Sequence, residues 1–74
     1  MNKVDAIFHP HDQVLIIFTT TDKGTFKLYL SVDVRGFWII RKRNVYGNLE
    51  YINGYEYFQE CYTNAVNLLQ IMAQ

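Results

Sequence analysis

Apolar positions along this chain follow a two-residue period first and a helical period near the end. Residues 13–20 contain an unbroken apolar run at 14–18, rich in β-branched side chains, which is typical of a strand that is apolar on both faces. Residues 21–25 predict a turn, with Gly24 at the position that needs a positive φ. Residues 25–32 then alternate in polarity, so we predict a half-buried strand. Its apolar side is Phe26, Leu28 and Leu30, and its polar side is Lys27, Tyr29 and Ser31.

Further strands are predicted on either side of this hairpin. After a turn at 33–36, residues 37–40 are too continuously apolar to have one face fully in water, and the basic residues 41–43 lead to solvent. A turn at 44–48 and a fourth strand at 49–52 follow. Residues 4–8 are interpreted either as a short edge strand or as part of a loose arm, 1–12, broken at Pro10.

The period changes after these strands. Seven apolar residues fall on one stripe at helical spacing: Phe58, Cys61, Tyr62, Ala65, Leu68, Leu69 and Met72. Polar residues occupy the other side, so we predict an amphipathic helix that starts between Glu56 and Gln59.

Strands followed by one helix predict an α+β fold, an antiparallel meander of three to four strands followed by one C-terminal amphipathic helix packed on one sheet face. We expect residues 1–74 to form a single small domain. Because one helix covers only one face, the second face is expected to expose several apolar residues from this set: Leu15, Ile17, Tyr29, Trp38 and Ile40. Such a face indicates a dimer seam or a partner-binding surface.

Length, charge and cysteine content narrow the class of protein. A chain of 74 residues buries only about 60% of its extended surface, so we expect a homodimer or another stabilising partner. The formal net charge of +0 argues against non-specific coating of nucleic acid, although residues 1–43 carry +3 (7 − 4) and residues 44–74 carry −3. The lone Cys61 cannot form an internal disulfide, and no apolar run is long enough to span a bilayer. We therefore expect a soluble cytoplasmic protein with no membrane contact.

Residues 24–74 contain short motifs in a familiar order. They are Phe26, Lys27, Leu28 and Tyr29; Gly36, Phe37 and Trp38; Gly47; Gly54 and Tyr55; and Cys61, Asn64, Ala65 and Val66. In these motifs the chain resembles the small YegP-like β-meander-plus-helix domains of bacteria, which have Gly where this helix has Ala65. That resemblance implies pairing of two such units across one sheet and no established activity. The basic residues 41–43 also resemble a WGR nucleic-acid-associated domain, although the Trp-Gly-Arg signature is absent.

Residue types that perform catalysis or bind metals do not fall into a recognisable pattern. His9, His11 and Asp12 lie within four residues and would suit Zn²⁺ or Cu²⁺ with a fourth ligand, but we favour a polar turn. Cys61 lies on the apolar helical stripe, which is typical of an inert cysteine. The carboxylates are scattered. We predict no catalytic residues, no metal site and no cofactor, and therefore no enzyme.

Basic and aromatic residues are the candidate partner-binding residues. The predicted set is Arg35, Trp38, Arg41, Lys42, Arg43, Tyr46, Tyr51, Tyr55 and Tyr57. Tyrosine is enriched at protein interfaces, whereas basic and aromatic residues together also bind phosphates and stack on bases. For the basic residues we favour the commoner explanation, an edge hairpin whose charges prevent aggregation between strands.

These observations predict a non-catalytic binding protein that acts by macromolecular contact, with a protein or a protein–nucleic-acid complex as its partner. We read the chain as complete from its initiating Met. Its small size and oppositely charged halves are typical of the inhibitors that phages and mobile elements make against host defence complexes, including anti-CRISPR proteins. The alternative is a nucleic-acid-binding module in which Arg41, Lys42 and Arg43 contact phosphates and Trp38 or Tyr46 stacks on bases.

Overall fold

The computed structural model describes residues 2–74 as one five-stranded sheet with a C-terminal helix. The elements are β1 (Asp5–His9), β2 (Val14–Thr21), β3 (Gly24–Val32), β4 (Trp38–Arg43), β5 (Leu49–Tyr55) and α1 (Phe58–Met72). Neighbouring strands are antiparallel in the order β1-β2-β3-β4-β5, and α1 packs mainly on β3, β4 and β5. The predicted α+β class, the meander and the C-terminal helix packed on the sheet are confirmed.

The predicted number of three to four strands is wrong, because the sheet has five. The additional strand is β1, which pairs with β2 along its whole length, and every residue of β1 is exposed. The segment before β1 is also held in place. The Thr19 hydroxyl donates to the carbonyl of Lys3 at 2.6 Å, and Asn2 and Gln70 exchange two hydrogen bonds of 3.0 and 2.7 Å. Of the two interpretations of residues 4–8, the edge strand agrees with β1, and a strand this short and exposed has too few apolar positions for a period-2 pattern to distinguish it from a loose arm.

The core lies between α1 and one face of the sheet. Cross-strand pairs fix this face: Ile17 pairs with Leu28, and Leu30 pairs with Ile40. The helix contributes side chains spaced four residues apart, so they lie on one side of the helix. The buried cluster is Ile17, Leu28, Leu30, Ile40, Cys61, Ala65 and Leu69.

The expected composition of the second sheet face is largely wrong. Leu15, Ile17, Trp38 and Ile40 lie on the helix side, and only Tyr29 of the predicted set lies opposite. A shift of one residue exchanges the two faces of a strand, and an unbroken apolar run does not show which alternate positions face the helix.

The two turns that flank β4 share one hydrogen-bond pattern. In each, a side-chain oxygen of the first residue accepts the backbone N–H groups of the third and fifth residues. Asp33 does so at 2.9 and 3.0 Å, and Asn44 does so at 2.9 and 3.0 Å. The fourth residue of each turn, Gly36 or Gly47, has φ near +90°, at +89° and +85°. Glycine suits this position because side chains with a Cβ rarely adopt it.

Candidate functional site

The sheet face opposite α1 is covered by no other element within residues 2–74, and we call it the open face. A row of five register-paired residues crosses its middle, one from each strand: Ile7, Ile16, Tyr29, Arg41 and Tyr51. The row is aliphatic on β1 and β2, and it becomes aromatic and cationic on β3, β4 and β5. The open face therefore has two chemically different halves.

The β1–β2 half forms the apolar patch, which we define as Ile7, Val14, Ile16 and Phe18. Ile7 is 51% exposed, and the other three are partly buried. Phe18 pairs with Lys27 on β3, so the apolar patch borders directly on cationic side chains. An apolar area next to aromatic and basic residues is characteristic of interaction surfaces.

The other half contains three cations arranged around Tyr29, and we call Lys27, Arg41 and Arg43 the cationic cluster. Arg41 is the register partner of Tyr29, and Lys27 precedes Tyr29 by two residues on the same strand face. The guanidinium carbon of Arg43 lies 5.3 Å from the centroid of the Tyr29 ring, within the range of a cation–π contact. Tyr51 stands on the other side of Arg41.

None of these three cations has a carboxylate within ion-pair distance in the part of the chain that the structure describes. Arg41 donates to the Ser31 hydroxyl at 2.8 Å, and Arg43 donates to the carbonyl of Gly47. These neutral acceptors orient the guanidinium groups without neutralising their charge. The positive potential of the cationic cluster is therefore available to an anion from outside the chain.

Carboxylates lie at the borders of the open face. Asp12, in the turn after β1, lines a depression together with Tyr29 and Arg43. Asp5 is paired with Lys3, with Nζ and Oδ1 3.6 Å apart. The described open-face positions of β2 to β5 contain no carboxylate, so the positive charge is concentrated over β3 and β4.

Of the nine predicted partner-binding residues, the structure brings three together on the open face: Arg41, Arg43 and Tyr51. Trp38 lies on the helix side, where its ring centroid is 4.7 Å from that of Phe58. Tyr55 also packs against the core. Lys42 alternates with Arg41 along β4, but it lines one depression together with Lys27, Tyr29, Arg43 and Met72. Trp38 and Lys42 therefore occupy helix-side strand positions, although Trp38 shares a depression with Arg41 and Lys42 shares one with Arg43.

The remaining predicted residues, Arg35, Tyr46 and Tyr57, lie in connections between elements. Tyr46 is an exposed residue of the β4–β5 turn, and Tyr57 is the exposed residue before α1. Arg35 is paired with Asp33 at 3.2 Å. Partial burial acts to raise the pKa of Asp33, but hydrogen bonds from the backbone of Phe37 and from Arg35 outweigh it and hold that pKa below its usual value.

The open face also contains residues that the sequence-based set omitted, namely Ile7, Ile16, Phe18, Lys27 and Tyr29. The sequence pattern could have identified Lys27 and Tyr29 as open-face residues, because both alternate with the buried residues of β3. Ile7, Ile16 and Phe18 carried no comparable signal, since β1 is too short and β2 is apolar without alternation.

Cys61, the candidate nucleophile, lies away from the cationic cluster. The Cys61 thiol is buried in the core, and burial raises its pKa to about 11, so it stays protonated at neutral pH. Across residues 2–74, no group of three or more His, Cys, Asp and Glu side chains is placed to hold a metal ion. None of the described helical segments has the length and apolar character needed to cross a membrane.

No protein family model, curated protein or solved structure matches this chain. The resemblances to YegP-like and WGR domains therefore stay predictions, and a function has to be argued from the open face itself.

Proposed function

We propose that this protein is a non-catalytic binding protein that acts by macromolecular contact through its open face. The row from Ile16 through Tyr29 and Arg41 to Tyr51 is the observation that carries the proposal. Aromatic residues and arginine are enriched at the centres of interfaces, where they supply most of the binding energy. In this chain they occupy the sheet face that α1 leaves open.

The total surface of the chain is large enough for a macromolecular interface. The described chain has 5221 Å² of accessible surface, so a standard interface of about 800 Å² per partner would take roughly 15% of it. A sheet face of this kind can occlude a site on a larger partner. Cys61, the nucleophilic side chain of the core, is on the other side of the sheet and stays protonated, which favours recognition over catalysis.

For the biological role, we propose a small phage or mobile-element inhibitor of a host defence complex, anti-CRISPR-like, whose partner is a protein or a protein–nucleic-acid complex. An inhibitor needs one recognition surface on a compact chain, and the open face provides one. Occupation of an effector's working site then blocks the effector without chemistry by the inhibitor.

The test is a cleavage assay with a panel of purified guide-loaded CRISPR effectors, combined with gel filtration of each mixture. We expect one effector to form a stoichiometric complex with this protein and to lose activity. Arg41→Glu should weaken both effects. The matched control is Lys23→Glu, which makes a similar charge change at an exposed position of the β2–β3 turn, outside the cationic cluster.

Two results would contradict parts of this proposal. If no effector in the panel binds, the inhibitor role has lost its basis. If a complex forms and is weakened equally by Arg41→Glu and Lys23→Glu, the open face is not the contact surface.

A further inference from the structure

We infer that the open face binds single-stranded nucleic acid, with phosphates on the cationic cluster and bases stacked on Tyr29 and Tyr51. This inference rests on the proposed function, because it names the component of a protein–nucleic-acid partner that the open face contacts.

Charge complementarity is the first argument. Lys27, Arg41 and Arg43 surround one ring and have no carboxylate partner among the described residues. Arg41 and Arg43 are two residues apart on one strand face, which places their Cα atoms about 6.5–7 Å apart. Several regularly spaced cations in one patch suit a ligand with a repeating negative charge, since each phosphate that is neutralised releases counterions.

The aromatic rings are the second argument. Tyr51 is 62% exposed, and it lies two strands away from Tyr29 with Arg41 between them. Neighbouring strands are about 4.8 Å apart, so the two tyrosines stand roughly 10 Å apart across the sheet. The Arg43 guanidinium above Tyr29 adds a further planar cation. Bases stack on aromatic rings and on guanidinium planes, largely irrespective of sequence.

The architecture favours a single strand over a duplex. Reading of a duplex groove requires a helix or a two-stranded ribbon that enters it, whereas the open face is a broad five-stranded surface with its helix on the opposite side. Stacking on Tyr29 and Tyr51 also requires unpaired bases with accessible faces. The apolar patch next to Tyr29 extends the surface on which such bases can lie.

An acidic protein surface is the alternative ligand for the open face. Its carboxylates would pair with the cationic cluster, but such a ligand would not need aromatic rings interleaved with the cations. In the open face, Arg41 has a tyrosine on each side and Arg43 lies over one of these rings. This interleaving is what favours a nucleic acid.

The test uses fluorescence anisotropy with end-labelled oligouridylate and oligothymidylate of about 20 nucleotides, longer than a typical single-strand site. We expect binding whose log–log dependence on salt has a slope of about −2 for three phosphate contacts. Arg41→Gln should weaken binding and bring the slope closer to zero by about 0.7. Lys23→Gln, the matched control in the β2–β3 turn outside the cationic cluster, should leave the slope unchanged. Ser31→Ala removes the Arg41 hydrogen bond but keeps the charge, so it should preserve the slope.

Stacking is tested separately from charge. Tyr51→Ala should weaken binding roughly 5- to 150-fold with little change in the salt slope, because one base loses its stacking partner. Tyr51→Phe keeps the ring and should retain most of the affinity. Tyr51 is an exposed residue, so these variants are expected to fold, which circular dichroism would verify.

Absence of binding to either bare strand would overturn the inference, and so would equal slopes for Arg41→Gln and Lys23→Gln. A salt-insensitive complex with an effector, without binding to bare strands, would overturn the inference while leaving the proposed function intact. Strand binding through Arg41 and Tyr51, without capture of any effector, would support the inference and reject the inhibitor role.

Discussion

Gly54, in β5, lies close to the side chains of Ile39 and Tyr51. A Cβ at this position would lie 3.0 Å from Ile39 Cδ1 and 3.3 Å from Tyr51 Oη. Ile39 is only 2% exposed, so it has little room to move. We predict that Gly54→Ala destabilises the protein by about 1–3 kcal/mol through overpacking. Urea unfolding would measure the change in the free energy of unfolding.

The matched control for Gly54→Ala is Ile39→Val, which removes the Cδ1 methyl that the new Cβ would meet. Ile39→Val alone is expected to cost about 0.5–1.5 kcal/mol. The double variant should be less destabilised than the sum of the two single variants, because the close contact is gone. Additive losses would show that the contact with Ile39 does not limit the size of residue 54.

Cys61 is expected to make the free energy of unfolding depend on pH in the alkaline range. Burial raises the pKa of its thiol from 9.0 to about 11, so the folded state holds its proton more tightly than the unfolded state. The thiol's contribution is fully present below pH 9.0 and is lost as the pH rises towards about 11. The measurement is the free energy of unfolding of the wild type and of Cys61→Ala at intervals from about pH 8 to 11.

Every other side chain is the same in these two proteins, so the difference between the two curves isolates the thiol. We expect the advantage of the wild type over Cys61→Ala to shrink across this range. A difference that stays constant with pH would contradict burial as the cause of the raised pKa.

At the scale of elements, the two turns that flank β4 differ in the charge of their first residue. The first turn starts with an ionised Asp33 and the second with the neutral amide of Asn44. Hydrogen bonds from Phe37 and Arg35 lower the pKa of Asp33 although partial burial opposes them. Asp33 therefore stabilises the fold at neutral pH, and this contribution is lost as the pH falls from the usual carboxyl pKa through the lower folded value.

We predict that Asp33→Asn removes part of the acid dependence of the unfolding free energy, because the amide keeps the Oδ1 acceptor but does not titrate. At pH 7 the variant should be less stable, since the ion pair with Arg35 is lost. The measurement is urea unfolding between about pH 7 and 2. Gly47→Ala in the other turn is the control, because it strains a backbone with φ +85° and should lower stability without changing its pH dependence. If the acid dependence of Asp33→Asn equals that of the wild type, this carboxylate is not responsible for it.

Strands β2 to β5 and helix α1 could be predicted from the sequence, but the face that a residue occupies could be predicted only where the pattern alternates or has a helical period. The alternation in β3 separated Leu28 and Leu30 from Lys27 and Tyr29, and the helical stripe located α1. The short, exposed β1 gave no such pattern. The register between strands is a tertiary property, so the sequence did not show that Arg41 stands between Tyr29 and Tyr51. That juxtaposition defines the candidate site.

At the scale of the whole molecule, a second copy of the chain and a nucleic acid strand would both bind to the same open face. The homodimer predicted from the sequence would most naturally bury the apolar patch, which adjoins the cationic cluster through Phe18 and Lys27. A dimer seam on the apolar patch would also restrict access to Tyr29. Self-association and strand binding are therefore expected to compete, and mass action then links them.

We predict a mass by light scattering that rises towards that of a dimer with protein concentration and falls back towards a monomer when oligouridylate is added. Ile7→Glu should weaken the dimer, because it places a charge in the apolar patch at a position that is 51% exposed. Ile71→Glu is the matched control, since Ile71 is 62% exposed on the helix. A dimer that persists in saturating oligouridylate, or that responds equally to both variants, would show that the seam lies elsewhere on the molecule. In that case the whole open face would remain accessible in each protomer, and a dimer would present two nucleic-acid-binding surfaces, with the higher avidity that two linked sites provide.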